Sequence, residues 1–462
     1  MYDLLVKGGT IIDGTSAPRF FGDIAIKDGV IERIASMIPD DQAKRVIDAA
    51  GKIVAPGVVD GHTHYDAQFF WDPYATNSGW HGVTTVAVGN CGFGFAPCKP
   101  DEESRNRIIK MMEHTEQIAV PAMRSGLPWN WESLPDFLQQ LGKLNKGVNV
   151  AMYMPINPLM AYVMGLDEAK KRAPTEAEMQ QMKELLNESM DAGAIGFAFS
   201  WQGEETNHVD FDGSLMPSDA MDVEVAYSLA DVLAERGHGS IQVNCTHTGY
   251  QDNSHIIEEL ARRSRGRILF NSISLGAQVP PEEMYKQLDW LDDMESKGLN
   301  VYAQSTIFRP WIQFTALTTN HFDPVKWMRE FCVAPPEKQL ELCADEQFRD
   351  DIKGAYNPKD LVTAGGSFEF YKLVDPKSEK YAQYRGYPLG DIAEAACRHV
   401  TEVFFDVIAE SKGEAVFSLS SQNDDAEVMA KLMNHKRAIA GTSDGGAHSK
   451  FWAGGYYPTD AI

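Results

Sequence analysis

The chain has 462 residues, of which 44% are hydrophobic, enough for a large domain with a substantial core plus a smaller one. Its 66 acidic and 42 basic residues give a formal net charge of -24, a field that repels nucleic acid and anionic membranes. The first residues alternate apolar and polar types, unlike a signal peptide, and the six cysteines are scattered as in reduced cytosolic proteins. We therefore expect a cytoplasmic protein without a nucleic-acid or membrane partner.

Residues 1–52 contain short strands separated by turns with glycine and aspartate. The predicted strands are 4–12, 23–26, 30–34 and a last one near Val46. This pattern predicts a small β domain that forms the N-terminal part of a β-sandwich. The sequence shows no obvious second half of such a sandwich, and we expect that half to lie outside the given residues.

From residue 53 onward, apolar strands alternate with amphipathic helices, which is typical of parallel β/α units. Helices are predicted at 176–190 and 220–236, the second ending at Gly237. Eight strands predict an α/β fold with a closed (β/α)8 TIM barrel over residues 53–462. The predicted strands are 53–59, 83–88, 148–154, 194–199, 241–243, 268–270, 301–303 and 438–440.

The segment 308–437, between the seventh and eighth strands, is far longer than a normal barrel connection. Insertions on this side of a barrel shape access to the active site, so the segment is predicted to be a lid. The chain ends about 20 residues after the eighth strand, where a barrel still needs its closing helix. We therefore expect the natural protein to continue beyond Ile462.

Side chains that bind metals follow several predicted strands, at the edge where TIM barrels build their active sites. His62 and His64 follow the first strand and project to the same side, because side chains alternate along a strand. Cys91 follows the second strand, His247 the fifth and Asp444 the eighth. Imidazole, thiolate and carboxylate are all zinc ligands. These residues therefore predict a site for one or two zinc ions.

Four segments, APGVVDGHTHYD, GVTTVAVGNCGFGFAPC, GAIGFAFS and GTSDGGAH, resemble in order and spacing the N-acyl-D-amino-acid deacylases of the amidohydrolase superfamily. The resemblance implies that Cys91 replaces the carboxylated lysine that bridges two metals in most binuclear amidohydrolases. It also implies a histidine after strand six, where this chain has Asn271 and Ser272. The number of metals therefore stays open, with Asn271, Ser272 or water in place of that ligand.

The predicted reaction is hydrolysis of a linear amide by metal-activated water, with Asp444 as general base and then acid. An N-acyl amino acid carries a carboxylate, so a cation at the barrel mouth is expected. Arg309, Lys450 and His448 are the candidates for substrate binding. The segment 200–204 differs from the corresponding segment of the resembling family, which leaves the acyl group and the stereochemistry open.

Two other functions remain open. The first is hydrolysis of a different amide, a cyclic amide or an ester, because a barrel fold does not fix the substrate. The second is a scaffold with an amidohydrolase fold that has lost its chemistry, in line with the missing histidine. The other cysteines, Cys98, Cys332, Cys343 and Cys397, are expected to be small buried hydrophobic residues.

Overall fold

The structure of the protein is a computed structural model that describes most of the chain in two compact units, Met1–Val58 and Val59–Ile462. Among the described helices, none is both long and apolar enough to cross a membrane. The described residues are 1–245, 253–275, 280–309, 311–317, 322–361, 366–419, 423, 425–448 and 454–460.

The N-terminal unit is built on one mixed sheet with the order β3-β2-β1-β4, and β5 also pairs with β1. Its strands are β1 Leu4–Ile11, β2 Phe20–Lys27, β3 Val30–Ala35, β4 Val46–Asp48 and β5 Ile53–Val54. The pairs β1–β2 and β2–β3 are antiparallel, whereas β1–β4 and β1–β5 are parallel. Leu5, Ala25 and Ile38 form its buried core.

The predicted strand 53–59 is wrong as a single element. Its first part, β5, belongs to the N-terminal sheet, and its last part is a separate strand, Val58–Asp60, that belongs to another sheet. Pro56 lies between them and has no backbone N–H to donate to a continuous ladder. The N-terminal unit consequently extends to Val58, beyond the expected boundary at residue 52.

In the second unit, strands and helices alternate over most of the chain. The strands are β6 Val58–Asp60, β7 Val83–Val88, β8 Asn149–Met152, β9 Met154–Pro155, β10 Gly196–Ser200, β11 Ser240–Asn244, β12 Arg267–Ile273, β13 Asn300–Ser305, β14 Ile312–Phe314, β15 Lys372–Asp375, β16 Val416–Leu419 and β17 Ala438–Ala440. The helices are α1 Thr76–Trp80, α2 Glu102–Glu116, α3 Val120–Gly126, α4 Leu134–Gly142, α5 Ile156–Met164, α6 Leu166–Ala169, α7 Glu176–Asp191, α8 Pro217–Ala220, α9 Glu224–Arg236, α10 Ser254–Ser264, α11 Pro281–Ser296, α12 Arg329–Val333, α13 Pro336–Ala344, α14 Glu346–Ala355, α15 Leu389–Ala396, α16 Val400–Glu410, α17 Ala426–Asn434 and α18 Tyr457–Asp460.

The strands of the predicted barrel form two sheets, one with the order β17-β13-β12-β11-β10-β9 and one with the order β6-β7-β8. All pairs of the larger sheet are parallel. Strands β8 and β9 are separated only by Tyr153, and a parallel bridge joins Thr63, just after β6, to Gly445, just after β17. The carboxyl ends of β6, β7 and β17 therefore lie close to one another.

Two predicted helices are present with small differences. Helix α7 begins as predicted, with a capping box between Thr175 and Glu178 that satisfies the first amides. The second begins at Glu224 rather than at residue 220, because Met221 is extended and separates α8 from α9. It ends as predicted at Gly237, whose left-handed conformation costs a glycine little.

The segment 308–437 forms a substructure with its own core. Strands β14, β16 and β15 make an antiparallel sheet, on which helices α12 to α16 pack. Aromatic rings dominate this core, for example Phe368 and Phe404, whose ring centroids are 4.4 Å apart. An ion pair of 3.1 Å between His114 Nε2 and Asp323 Oδ2 ties the segment to α2.

Candidate metal centre

His62 and His64 follow β6 and are each only 1% exposed. Backbone hydrogen bonds hold this turn: the Thr63 amide donates to the carbonyl of Ala87 at 3.1 Å, and the His64 amide donates to the carbonyl of Gly445 at 2.7 Å. The two imidazole centroids are 5.4 Å apart. The neighbouring strands β7 and β17 thus position both rings.

Gln304 on β13 fixes the tautomer of His62. Its Nε2 donates to the carbonyl of Gly61 at 2.9 Å, so its Oε1 is the acceptor that faces His62 Nδ1, also at 2.9 Å. The His62 proton therefore lies on Nδ1, which leaves the lone pair of Nε2 available to a metal. Such a second hydrogen bond is what orients metal-binding histidines.

Cys91 follows β7 in a tight turn, with a left-handed φ of 56°. Glycines on both sides allow the chain to pass close to its neighbours: a Cβ on Gly89 would lie 2.5 Å from the carbonyl oxygen of Tyr153. The Cys91 amide donates to Gln242 Oε1 at 2.7 Å, and its Sγ lies 3.3 Å from Nε2 of His62. Ligand atoms of His62, His64 and Cys91 all lie within 4.8 Å of one another.

Asp444 follows β17 and also has a left-handed φ, of 50°. Its amide donates to the carbonyl of His62 at 3.2 Å. Its Oδ1 lies 3.4 Å from Nε2 of His62 and 3.8 Å from Nε2 of His64. The side chain is 21% exposed, so this carboxylate faces the three buried ligands and still reaches solvent.

Glu116, at the end of α2, belongs to the same cluster and was missed by the sequence reasoning. Its Oε2 lies 3.6 Å from Nε2 of His64 and 3.5 Å from Nε2 of His448, and its side chain is fully buried. One signal was available: Glu116 comes four residues after Met112 and seven after Ile109, so it shares the buried face of the helix.

Burial dominates the electrostatics of the centre. It raises the pKa of Cys91 well above the ordinary value, and the carboxylates of Glu116 and Asp444 raise it further. Burial also raises the pKa of Glu116, reinforced by Asp444 and Asp66. The pKa of His64 falls well below its ordinary value through burial and through the nearby His62 and His448.

These residues fit a divalent transition metal. Buried anionic ligands are unfavourable without a cation, and within the described residues no hydrogen bond reaches either carboxylate oxygen of Glu116 or Nδ1 of His64. A dication reverses this balance and stabilises a thiolate. Neutral imidazole, thiolate and carboxylate form a donor set that zinc prefers.

The structure places the remaining predicted metal-binding and substrate-binding residues differently from one another. His247 and Lys450 lie outside the described residues. Arg309 is exposed, and its carbonyl accepts a hydrogen bond of 3.4 Å from the Tyr456 hydroxyl. His448, predicted to contact substrate, lies against Glu116 inside the cluster.

Asn271, expected after the sixth barrel strand, lies within that strand, β12; it is half-buried, and no hydrogen bond from the described part of the chain reaches its Oδ1. Among the remaining cysteines, Cys98 and Cys343 are buried as expected and Cys332 is half-buried. The expectation was wrong for Cys397, which caps the end of α15 and is exposed.

Residues 45–328, more than half of the chain, match the profile of the amidohydrolase family. The protein therefore belongs to the amidohydrolase family. The predicted resemblance to the D-aminoacylases is confirmed by the D-aminoacylase of Alcaligenes xylosoxydans xylosoxydans, which is 32% identical over 198 residues. That match covers 43% of this chain and 37% of the relative, so it spans well under half of the relative's length.

An uncharacterized protein of Mycobacterium tuberculosis is 33% identical over 200 residues, which are 43% of this chain and 32% of that protein. Among solved structures, the N-acyl-D-glutamate deacylase from Bordetella bronchiseptica, complexed with zinc and a phosphonate inhibitor, has a TM-score of 0.61 at 21% identity. It matches 96% of this chain and 76% of that chain. A D-aminoacylase structure has a TM-score of 0.59 at 18% identity, with the same coverage. These structures share the fold.

Proposed function

We propose that the protein is a metal-dependent hydrolase of linear amides, with N-acyl-D-amino acids as the substrate class. The observation that carries the proposal is the convergence of His62, His64 and Cys91, whose ligand atoms lie within 4.8 Å of one another, next to Asp444. The 32% identity to a D-aminoacylase supports the substrate class. A cavity of about 360 Å³ adjoins Asp444, a volume suited to a small molecule.

The fold proposed for this function is a closed (β/α)8 barrel. Support comes from the parallel bridge between Thr63 and Gly445, which links the first and last barrel strands, and from the near continuity of β8 and β9. Closure would bring the carboxyl ends of all strands to one mouth. The segment 308–437 is proposed as a lid over that mouth, since Asp323 pairs with His114 only two residues from Glu116.

In the proposed mechanism, His62, His64 and Cys91 would hold the metal, with zinc as the proposed ion and His247 as a further candidate ligand. When bound, a divalent metal activates water at neutral pH and polarises the amide carbonyl. Asp444 accepts the proton of the attacking water and then donates it to the leaving nitrogen as the carbon–nitrogen bond breaks. The products are a carboxylate and a free amine. Arg309 and Lys450 remain candidates for binding the substrate carboxylate.

The test combines metal analysis with a substrate panel. Purified protein is loaded with zinc, its metal content is measured by mass spectrometry, and the products formed from N-acyl-D-amino acids, N-acyl-L-amino acids, cyclic amides and esters are followed by liquid chromatography. We expect bound zinc and turnover of the first group. Turnover of only cyclic amides or esters would contradict the substrate class. Protein that binds no zinc and hydrolyses nothing would favour the scaffold.

A further inference from the structure

The cavity of about 360 Å³ next to Asp444 has walls of a distinct chemistry. Among the described residues, three segments line it: the chain after His64, the stretch from the end of α2 into α3, and the loop after β17 that carries Asp444 itself. Aromatic and aliphatic side chains form most of the first two walls, namely Tyr65, Trp71, Ile118, Ala119 and Ala122. The carboxylate that is proposed to move the proton therefore borders a space large enough for an amino-acid side chain.

The described lining of this cavity carries no positive charge, and Asp444 is its one acidic residue. The other polar side chains are the amides of Gln68 and Asn77 and the hydroxyl of Tyr65, which lies 2.8 Å from the Ser78 hydroxyl. An anionic group in the cavity would lie beside the Asp444 carboxylate without a described cation to pair with. Burial of an unpaired charge is unfavourable, and neighbouring carboxylates repel each other. The cavity is therefore suited to an uncharged group.

The aromatic wall of the cavity is held in place by close contacts with glycines. A Cβ on Gly126, at the end of α3, would lie 2.4 Å from Cε3 of Trp71, so this ring packs directly on the backbone. A Cβ on Gly445 would likewise lie 2.6 Å from the hydroxyl oxygen of Tyr65. Trp71 is nevertheless 40% exposed, which leaves apolar ring surface for a ligand to cover. The cavity is consequently formed before a ligand binds, and little side-chain ordering opposes binding.

The role of Asp444 determines which part of a substrate faces this cavity. In the proposed mechanism Asp444 returns its proton to the leaving nitrogen, so that nitrogen must come within hydrogen-bond distance of the carboxylate. The leaving nitrogen is bonded to the α-carbon of the amino acid, which must therefore also lie on the Asp444 side of the breaking bond. The acyl group lies on the opposite side. The group that enters the cavity is consequently a substituent of the α-carbon.

We propose that this cavity binds the side chain of the leaving amino acid and selects apolar side chains, such as that of leucine, over acidic ones. The inference rests on the proposed function, because it assigns the parts of an N-acyl amino acid around Asp444. The α-carboxylate would bind elsewhere, and Arg309 and Lys450 remain its candidates. Ala122, half-buried on α3, is the specificity-determining position, since a larger side chain there would fill the cavity.

The experiment compares kcat/KM of the zinc-loaded full chain on N-acetyl-D-alanine, N-acetyl-D-leucine and N-acetyl-D-glutamate, with N-hexanoyl-D-alanine as a probe of the acyl group. Ala122→Phe fills the cavity, and Ala122→Arg places a cation in it. Ser125→Phe and Ser125→Arg make the same changes at an exposed position of α3 outside the cavity lining. Melting temperatures check that each variant is folded. Competitive inhibition by free D-leucine measures binding of the product without turnover.

We expect the parent to prefer leucine over alanine at least about tenfold, because one methylene in an apolar pocket changes kcat/KM by roughly 10- to 200-fold. Leucine should also exceed glutamate at least about tenfold. In Ala122→Phe the ratio of leucine to alanine should fall at least about tenfold, and inhibition by D-leucine should weaken. In Ala122→Arg the ratio of glutamate to leucine should rise at least about tenfold, since the cation pairs with the acid. Both Ser125 variants should keep the ratios of the parent.

The possible failures can be told apart. If the parent prefers glutamate, or if folded Ala122 variants keep the ratios of the parent, the side-chain subsite is wrong but the proposed function stands. If Ala122→Phe instead lowers the ratio of the hexanoyl to the acetyl substrate, the cavity holds the acyl group and the assignment is again wrong. If the parent hydrolyses no N-acyl-D-amino acid, the proposed function and the subsite both fail.

Discussion

Replacing Gln304 tests whether the orientation of His62 matters for metal binding. In Gln304→Met the side chain keeps a similar length, but two hydrogen bonds of 2.9 Å are lost, a buried one to His62 Nδ1 and a partly buried one to the carbonyl of Gly61. A buried group left without a partner costs about 1–3 kcal/mol, so the loss at His62 alone should lower the free energy of unfolding by about 1–3 kcal/mol, and the partly buried carbonyl of Gly61 adds less. Zinc affinity should fall by about 10- to 100-fold, because His62 loses the contact that fixes its tautomer.

The assay pairs urea unfolding of the metal-free protein with zinc titration against a competing chelator. Gln339→Met is the matched control: Gln339 is also buried and donates to the carbonyl of Phe331 at 2.8 Å, but it lies in the core of segment 308–437. The control should lose about 1–3 kcal/mol of stability and keep its zinc affinity. If Gln304→Met lost stability as calculated but bound zinc within a few-fold of the parent, His62 would not be an oriented ligand.

Three further predictions concern the same region. Asp444→Asn should lower kcat on an identified amide by about 10²- to 10⁴-fold with little change in melting temperature, whereas Asp167→Asn, an exposed control, should leave kcat unchanged. Chelation of bound zinc should lower the melting temperature, since zinc at 100 times its Kd contributes about 2.7 kcal/mol; an unchanged melting curve would contradict a metal in the folded protein. Asp323→Asn removes the charge that faces His114 and should speed proteolytic cleavage within 308–437; unaltered cleavage would mean that this pair does not anchor the segment.

The strands that bring the site together could be predicted because each is a short apolar run bounded by turn residues. β7 Val83–Val88 and β17 Ala438–Ala440 have the predicted bounds, and β10 to β13 differ from theirs by a few residues. The error at 53–59 has a local cause. The apolar run reads as one strand, yet Pro56 interrupts its hydrogen bonding and the two pieces join different sheets.

The sequence could predict that His62, His64, Cys91 and Asp444 meet, because strand ends at one edge of parallel sheets are neighbours in space. Glu116 could not be predicted in the same way, since it ends a helix whose distance from the strands depends on tertiary packing. Gln304 was missed for a related reason. Its role depends on its Oε1 facing His62 and its Nε2 facing the carbonyl of Gly61. Both partners are far from Gln304 in the sequence, so no local pattern predicts these contacts.

The loop after β10, where the sequence departs from the family it resembles, is held by a buried acid whose protonation should make stability depend on pH. Asp219 accepts hydrogen bonds from the Gln202 amide at 2.6 Å and from the Thr206 hydroxyl at 2.8 Å. Burial nevertheless raises the pKa of Asp219 from 3.8 to about 6. Between these values the folded carboxyl keeps its proton while the unfolded one has lost it, so the unfolded state binds fewer protons and stability falls as pH rises.

The shift corresponds to about 3 kcal/mol, present below pH 4 and lost by pH 6 to 7. Asp219→Asn should remove this contribution, because an amide does not ionise and the Thr206 hydroxyl can accept from it. The test compares urea unfolding of metal-free parent and variant from pH 4 to 7. The parent should lose about 3 kcal/mol more than the variant over this range, since the other acids titrate in both proteins. Parallel curves would mean that the folded carboxyl of Asp219 ionises as readily as the unfolded one, and that the hydrogen bonds of this loop outweigh its burial.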